Sequence, residues 1–167
     1  VLLQLEIPME VNALVVEYAN RKGVPVMLNT APSDHVEETI LSKLAYLSCN
    51  EHEAFDLTGI SIGKTEDGLC VEDVKAVIQK IMEKGVKNVL VTLGKDGAAF
   101  GNKDSFFLMP ALTDIPSVDP TGAGDSFIGA FCTFVSMGID YESAVRMSNY
   151  VGSLTVSVMG AQTSLPF

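Results

Sequence analysis

The 167-residue chain is long enough for one domain with a real core and short for two. Hydrophobic residues make up 47% of it, in runs well short of a membrane span, so a soluble globular chain is expected. Eleven basic against twenty-one acidic residues, a formal charge of −10, argue against nucleic-acid and anionic-membrane partners and leave any phosphate ligand to backbone dipoles and cations.

The chain lacks an initiator Met and begins inside the apolar run VLLQLE, which predicts a strand over residues 1–6 and a fragment of a longer protein. Pro8 suits the first turn of a helix that carries Val11, Leu14, Val15 and Tyr18 at helical spacing and stops at Gly23. PVMLN (25–29) is a second strand. Asp34 can cap a helix over 35–43, with Glu37 completing a pattern like a capping box. AYLSC (45–49) is the third strand, and Asn50 begins a short helix ending near Gly59.

From Val71 to Lys84, the positions Val74, Val77, Ile78 and Ile81 predict an amphipathic helix closed by Gly85, and NVLVTLG (88–94) predicts the fourth strand. GAAF and SFFLMP read as a β-hairpin around Gly101 and Asn102. A helix from about 123 to 137 places Phe127, Ile128, Phe131, Phe134 and Val135 inward. A last helix runs from Asp140 to about Val158. This alternation predicts a single α/β domain over 1–167, three-layer α/β/α, with a mainly parallel sheet covered by helices. Ligands of such sheets sit beyond the carboxyl ends of the strands, where Asn50, Thr92 and Gly94 fall.

Three cysteines without a CxxC pair, and only two histidines, do not make a zinc site and suit a reducing, cytoplasmic compartment. VLLQLEIP has neither the basic start nor the small-residue cleavage site of a secretory signal. GISIGKT (59–65) is one residue short of phosphate-loop spacing and follows a helix, not a strand. GAGDSFIG has the wrong spacing for a dinucleotide fingerprint and puts a carboxylate where a pyrophosphate would sit.

VDPTGAGDSFIGAF (118–131) holds the strongest signal. A helix N-terminus presents unpaired N–H groups, and Gly122, Ala123 and Gly124 lack the bulk that would keep backbone amides from an anion. On these residues alone Asp125 is equally a catalytic base or a favourable first-turn acid. Asn50 and Glu53 share one face of a helical turn, as an N-cap with a surface Glu or as a polar pair for a ligand.

The run DPTGAGDSFIGAFC (119–132) resembles the signature of the ribokinase-like (phosphofructokinase-B type) carbohydrate kinases, and LLQLEIP, LNTAP, CNEHEAFDLTG, VTLGKDG and GAQTSLP match in order along the whole chain. The resemblance implies the C-terminal half, or slightly more, of a kinase that transfers the γ-phosphoryl of ATP to the primary hydroxyl of a pentose, D-ribose giving ribose 5-phosphate. Another sugar or nucleoside kinase of the family, or an inactive nucleotide-binding core, is the alternative. It makes Asp125 the general base that touches the sugar, and the amides of Gly122, Ala123 and Gly124 the anion hole. A carboxylate is a weak base, which a loose phosphoryl-transfer transition state tolerates because the nucleophile's proton leaves late.

The same resemblance assigns Asn50 and Glu53 to magnesium (Mg2+) and phosphates through water, in keeping with the waters magnesium retains. Thr92, Gly94, Gly97 and Asn149 fall to the nucleotide, and Glu6 to the sugar. Asp119, Thr121, Thr155, Val158, Gly160 and Ser164 fall to an activating monovalent cation (K+), with only Asp119 and Ser164 using side chains. The family's GGKGxN sugar element and its lid strands, through which it dimerises, are absent from these residues. The sugar site is therefore expected to be incomplete, and the isolated chain to have little or no activity.

Overall fold

The computed structural model describes residues 1–32, 36–66, 68–112 and 114–166. The chain clusters into two compact units, one of residues 1–92 and 99–106 and the other of residues 93–98 and 107–167. Six strands follow the order β1 (Leu2–Leu3), β2 (Met27–Asn29), β3 (Tyr46–Asn50), β6 (Asn88–Thr92), β7 (Ala98–Asn102) and β8 (Phe106–Met109). β1, β2, β3 and β6 pair in parallel, and the register sets Asn50, the last residue of β3, opposite Thr92, the last of β6. The expected parallel core is present. A small antiparallel pair, β4 (Lys64–Thr65) and β5 (Gly68–Leu69), was not expected; it takes up the exposed Lys64 that the near phosphate loop contains.

In the first unit, α1 (Met9–Arg21) starts after Pro8, whose missing N–H is no loss at a helix start. Three of its four predicted apolar positions do not face inward, and Val15 is only half-buried. Val11, Leu14 and Tyr18 are 44%, 63% and 58% exposed, while Asn12, Val16 and Ala19 are buried. The inward face takes the slim residues, and Asn12 donates its side-chain amide to the Gln4 carbonyl at 2.8 Å. Arg21 and Lys22 lie over the outward Tyr18 ring, 5.9 and 5.8 Å from its centroid.

The first strand is also shorter than residues 1–6. Leu5 turns its N–H to the Ala31 carbonyl at 3.0 Å, and Glu6 lies exposed in the turn that follows. The helix expected over 35–43 is α2 (Glu38–Leu41), a single turn. Its N-cap is Glu37, with no side-chain cap; the expected cap Asp34, and with it the capping-box pattern, lies with His35 outside the described residues. α3 (Glu51–Thr58) ends on Gly59 in the left-handed conformation, as expected. α4 (Val71–Glu83) buries Val74, Val77, Ile78 and Ile81, the four positions its periodicity selects. With Leu28, Leu47, Val89 and Val91 they belong to the core of this unit. Between β7 and β8 the turn is Lys103–Ser105, one residue past the expected place, because the Asn102 carboxamide oxygen accepts from the Asp104 and Ser105 amides at 2.9 Å each.

In the second unit α5 (Ala123–Ser136) packs on α6 (Tyr141–Val156); α5 buries Phe127, Ile128 and Phe131, and α6 buries Ala144 and Val145. Phe134 and Val135 are only half-buried. Asp140 caps α6 by accepting the Ser143 N–H at 2.9 Å.

The two helix faces of the first unit give a direct test. Ile81→Ala should destabilise the chain by about 2–5 kcal/mol, whereas Leu14→Ala should stay within about 0.5 kcal/mol. Urea denaturation of the two variants against the parent chain measures both.

Candidate active site

In the first unit, Asn50, Glu53 and Thr92 gather where β3 and β6 end, while Glu6 lies exposed in the turn after β1. Asn50 is at once the last residue of β3 and the N-cap of α3. Its carboxamide oxygen accepts the N–H groups of His52 and Glu53, both at 2.9 Å. Glu53 answers with Oε2 on the Asn50 N–H at 2.9 Å and Oε1 on the Asn50 side-chain amide at 2.8 Å. This is a complete capping box. Glu53 is not the surface residue that its place in a helix suggests, however, because it is only 5% exposed.

A buried carboxylate needs hydrogen bonds, and Thr30, just past β2, donates one from Oγ1 to Glu53 Oε2 at 3.1 Å. Burial, and after it the Glu53 carboxylate, push the neighbouring Cys49 thiol far above its ordinary range. Thr92 stands across the register from Asn50, its hydroxyl 3.5 Å from the Cys49 carbonyl. Sequence reasoning picked out Asn50, Glu53 and Thr92 but missed Thr30, which it read only as part of LNTAP. The one available signal was a polar side chain directly after a wholly buried strand.

In the second unit, Gly94 opens a 3-10 turn over Gly94–Asp96 and Gly97 closes it, with the Leu93 N–H on the Gly97 carbonyl at 2.8 Å. Gly97 has φ of +100°, and a Cβ there would run into the Met109 carbonyl oxygen and lie 2.6 Å from the Ala111 nitrogen. Only glycine fits. Asn149, buried on α6, donates its side-chain amide to the Pro110 carbonyl at 3.0 Å and the Met109 carbonyl at 3.3 Å. It holds the exit of β8 beside Gly97.

Gly122 forms the N-cap of α5 with φ of +79°, and its Cβ position lies 3.2 Å from the Ala161 carbonyl oxygen. Ala123 donates its N–H to the Pro120 carbonyl at 3.2 Å. Gly124 and Asp125 follow in the first turn, both exposed. Ser126, which the sequence did not single out, joins the loop to α6: its hydroxyl reaches the Ala123 carbonyl at 3.0 Å and receives the Thr155 hydroxyl at 2.8 Å.

Asp119 organises the approach to this helix start. Its Oδ1 accepts the Thr121 N–H at 3.0 Å and its Oδ2 the Gly160 N–H at 2.9 Å. A hydrogen bond from the Thr121 side chain, and after it the Gly160 and Thr121 N–H groups, hold its carboxyl below the ordinary carboxylate value. Asp119, Thr121 and Gly160, three of the six proposed cation ligands, therefore meet. The Thr155 carbonyl accepts the Val158 N–H at 3.3 Å, and buried Ser164 gives its hydroxyl to the Ala161 carbonyl at 3.1 Å, so the other three lie in the same short segment.

With this geometry in view, the comparisons with known proteins are direct. The family model for pfkB family carbohydrate kinases matches residues 1–167, and the chain belongs to that family. It is 32% identical over 166 residues to a ribokinase from Schizosaccharomyces pombe, covering 99% of this chain and 51% of that protein. It is 29% identical over 167 residues to a deoxyribokinase from Salmonella typhi, covering 99% and 52%. The solved Arabidopsis thaliana ribokinase, in complex with ribose and ATP, matches with a TM-score of 0.90 at 35% identity, over 99% of this chain and 52% of that one. The likeness shows the three-layer α/β/α fold class with a mainly parallel sheet. The chain spans about half the length of the curated relatives it matches.

The Asp119 geometry predicts a pH dependence. Because folding lowers its pKa, the stability it contributes is fully present above the unfolded value of about 4 and is lost as pH falls through the folded value. Asp119→Asn should thus be less stable than the parent at neutral pH, and the difference should shrink below about pH 4. Urea midpoints across a pH series check this. Gly97→Ala should cost at least about 2 kcal/mol from strain and backbone collision, measured in the same way at pH 7.

Proposed function

We propose that residues 1–167 supply the ATP-binding and catalytic portion of a sugar kinase that acts on the primary hydroxyl of a pentose, D-ribose giving ribose 5-phosphate. The observation that carries this reading is the start of α5. There a left-handed Gly122, two small residues with helix-start amides and the exposed Asp125 carboxylate stand within four consecutive positions. The sugar oxygen attacks the γ-phosphorus, the bond to the bridging oxygen of ADP breaks, and the hydroxyl proton passes to the Asp125 carboxylate. The amides at Gly122, Ala123 and Gly124 meet the charge that develops on the transferred phosphoryl. Base and anion hole are adjacent because the nucleophile and the phosphoryl group are.

The donors present suit both ions. Glu53, with Asn50, would hold magnesium through water. Asp119 and Ser164, with the carbonyls of Thr121, Thr155, Val158 and Gly160, would hold a potassium ion. Such ions supply positive charge beside the phosphates. Thr92, Gly94, Gly97 and Asn149 serve the nucleotide, and Glu6 the sugar. The sugar-binding element and a dimer-forming lid come, on this reading, from the remainder of the protein. A cytoplasmic setting goes with this activity, and no helix of the described residues is long and apolar enough to cross a membrane. The likeness to a deoxyribokinase at 29% identity favours 2-deoxyribose as the second substrate to consider.

ATP-dependent phosphorylation of D-ribose, 2-deoxyribose, other pentoses and nucleosides by the full-length protein tests the assignment. D-Ribose should have the highest kcat/KM, and a nucleoside in first place would overturn it. In the same protein Asp125→Asn should lower kcat by about 10²–10⁴-fold, the usual worth of a general base. Its ATP affinity should stay within about twofold. An unchanged rate would remove Asp125 from the role of base.

A further inference from the structure

The Glu53 carboxylate has more structure around it than a magnesium ligand held by its own helix would require. Two of its contacts come from Asn50, three residues before it, and belong to the capping box. They travel with the start of α3. The contact from Thr30 is different in kind: it comes from 23 residues away, at the end of a neighbouring strand, and both partners are buried, Thr30 at 2% exposure and Glu53 at 5%.

The Thr30 hydroxyl has one proton and two acceptors in reach, Glu53 Oε2 and the Ser48 carbonyl, each at 3.1 Å. The Ser48 carbonyl is already satisfied by the Thr30 backbone N–H at 3.0 Å. A bond to a charged acceptor is the stronger of the two, so the proton goes to the carboxylate. Glu53 then has three of about four acceptor positions filled: two on Oε2, from Asn50 N–H and Thr30, and one on Oε1, from the Asn50 side chain. Among the described residues, one position, on Oε1, is left.

We propose that Thr30 is the positioning residue for Glu53: its hydroxyl locks Oε2, which leaves Oε1 alone to receive a single metal-bound water. This rests on the reading of Glu53 as a magnesium-organising residue. It adds the residue that fixes the carboxylate and limits it to one outer-sphere contact. With the hydroxyl removed, Oε2 loses its only contact outside the capping box among those described, and the carboxylate can turn about its last bond.

Two measurements on the 167-residue chain, made on Thr30→Val and Thr30→Ser beside the parent, test this. The first is amide hydrogen exchange at Asn50, whose N–H rests on Oε2. It should speed up about fivefold in Thr30→Val, as expected for one lost hydrogen bond, and stay at the parent rate in Thr30→Ser, with Leu47 unchanged in both. The second is a calorimetric titration of ATP at rising magnesium. Thr30→Val should need several times more magnesium for half-maximal tightening, with unchanged affinity for metal-free ATP, and Thr30→Ser should restore the parent curve. A Thr30→Val magnesium curve that overlays a magnesium-responsive parent overturns the proposal. If the parent itself does not respond to magnesium, the metal role of Glu53 fails. The exchange rate then decides alone: faster exchange at Asn50 upholds Thr30 as the anchor of Glu53, and unchanged exchange overturns it. Thr30→Ala provides a second variant without the hydroxyl should the valine not fold.

Discussion

A carboxylate taken out of water has to be given hydrogen bonds where it is put, and Glu53 shows how much local structure that demand organises. Its two oxygens accept from the Asn50 backbone, the Asn50 side chain and the Thr30 hydroxyl. Meeting those donors joins the end of β2, the end of β3 and the first turn of α3 into one polar knot. The parallel register then sets Thr92 opposite Asn50. Without the Glu53 carboxylate, the Asn50 side chain would still cap α3, but the Thr30 bond that ties its first turn to the end of β2 would be lost.

The second unit meets the same demand with a half-buried group. Asp119 accepts one backbone N–H from either side of the glycine loop's surroundings, Thr121 on one oxygen and Gly160 on the other. Each carboxylate oxygen has a second lone pair, so this bracing does not use up the group's capacity for a cation. That matters in a chain of net charge −10. On the proposed reading, a polyphosphate would be met by helix-start amides and by cations that the chain's own carboxylates hold in place. Acidic residues near the phosphate site would then be part of the attraction, through the ions, and not a contradiction of it.

How far the fold could be read depended on whether covering and patterning agree. In α4 they agree, and Val74, Val77, Ile78 and Ile81 are buried as the 3.6-residue period requires. In α1 they part company. Val11, Leu14 and Tyr18 make a good apolar row, yet the buried residues are Asn12, Val16 and Ala19. Periodicity tells which face is apolar, while burial also depends on what the chain can lay over that face. The chain spans about half the length of its relatives. The same distinction explains β1, where the apolar run is six residues long but the paired strand only two, since Leu5 already bonds to the Ala31 loop.

The candidate site could be proposed from the sequence by residue type, and much less so by contact. Gly122, Asp125, Asn50 and Glu53 could be picked out because short, ordered motifs tie residue type to local backbone: a left-handed glycine, a helix start, an N-cap. The sequence could not show that Glu53 is buried, because an N3 glutamate at the start of a helix is ordinarily a surface group. Nor could it show Thr30. Its hydroxyl meets Glu53 only because β2 and β3 pair with Asn29 opposite Ser48, which carries the next residue of β2's chain to the level of the α3 cap. A role that arises from strand register has no signature in spacing along the chain. A threonine inside a recognised motif is therefore easily taken for part of the motif's wording, when its chemistry is spent on a partner 23 residues further on.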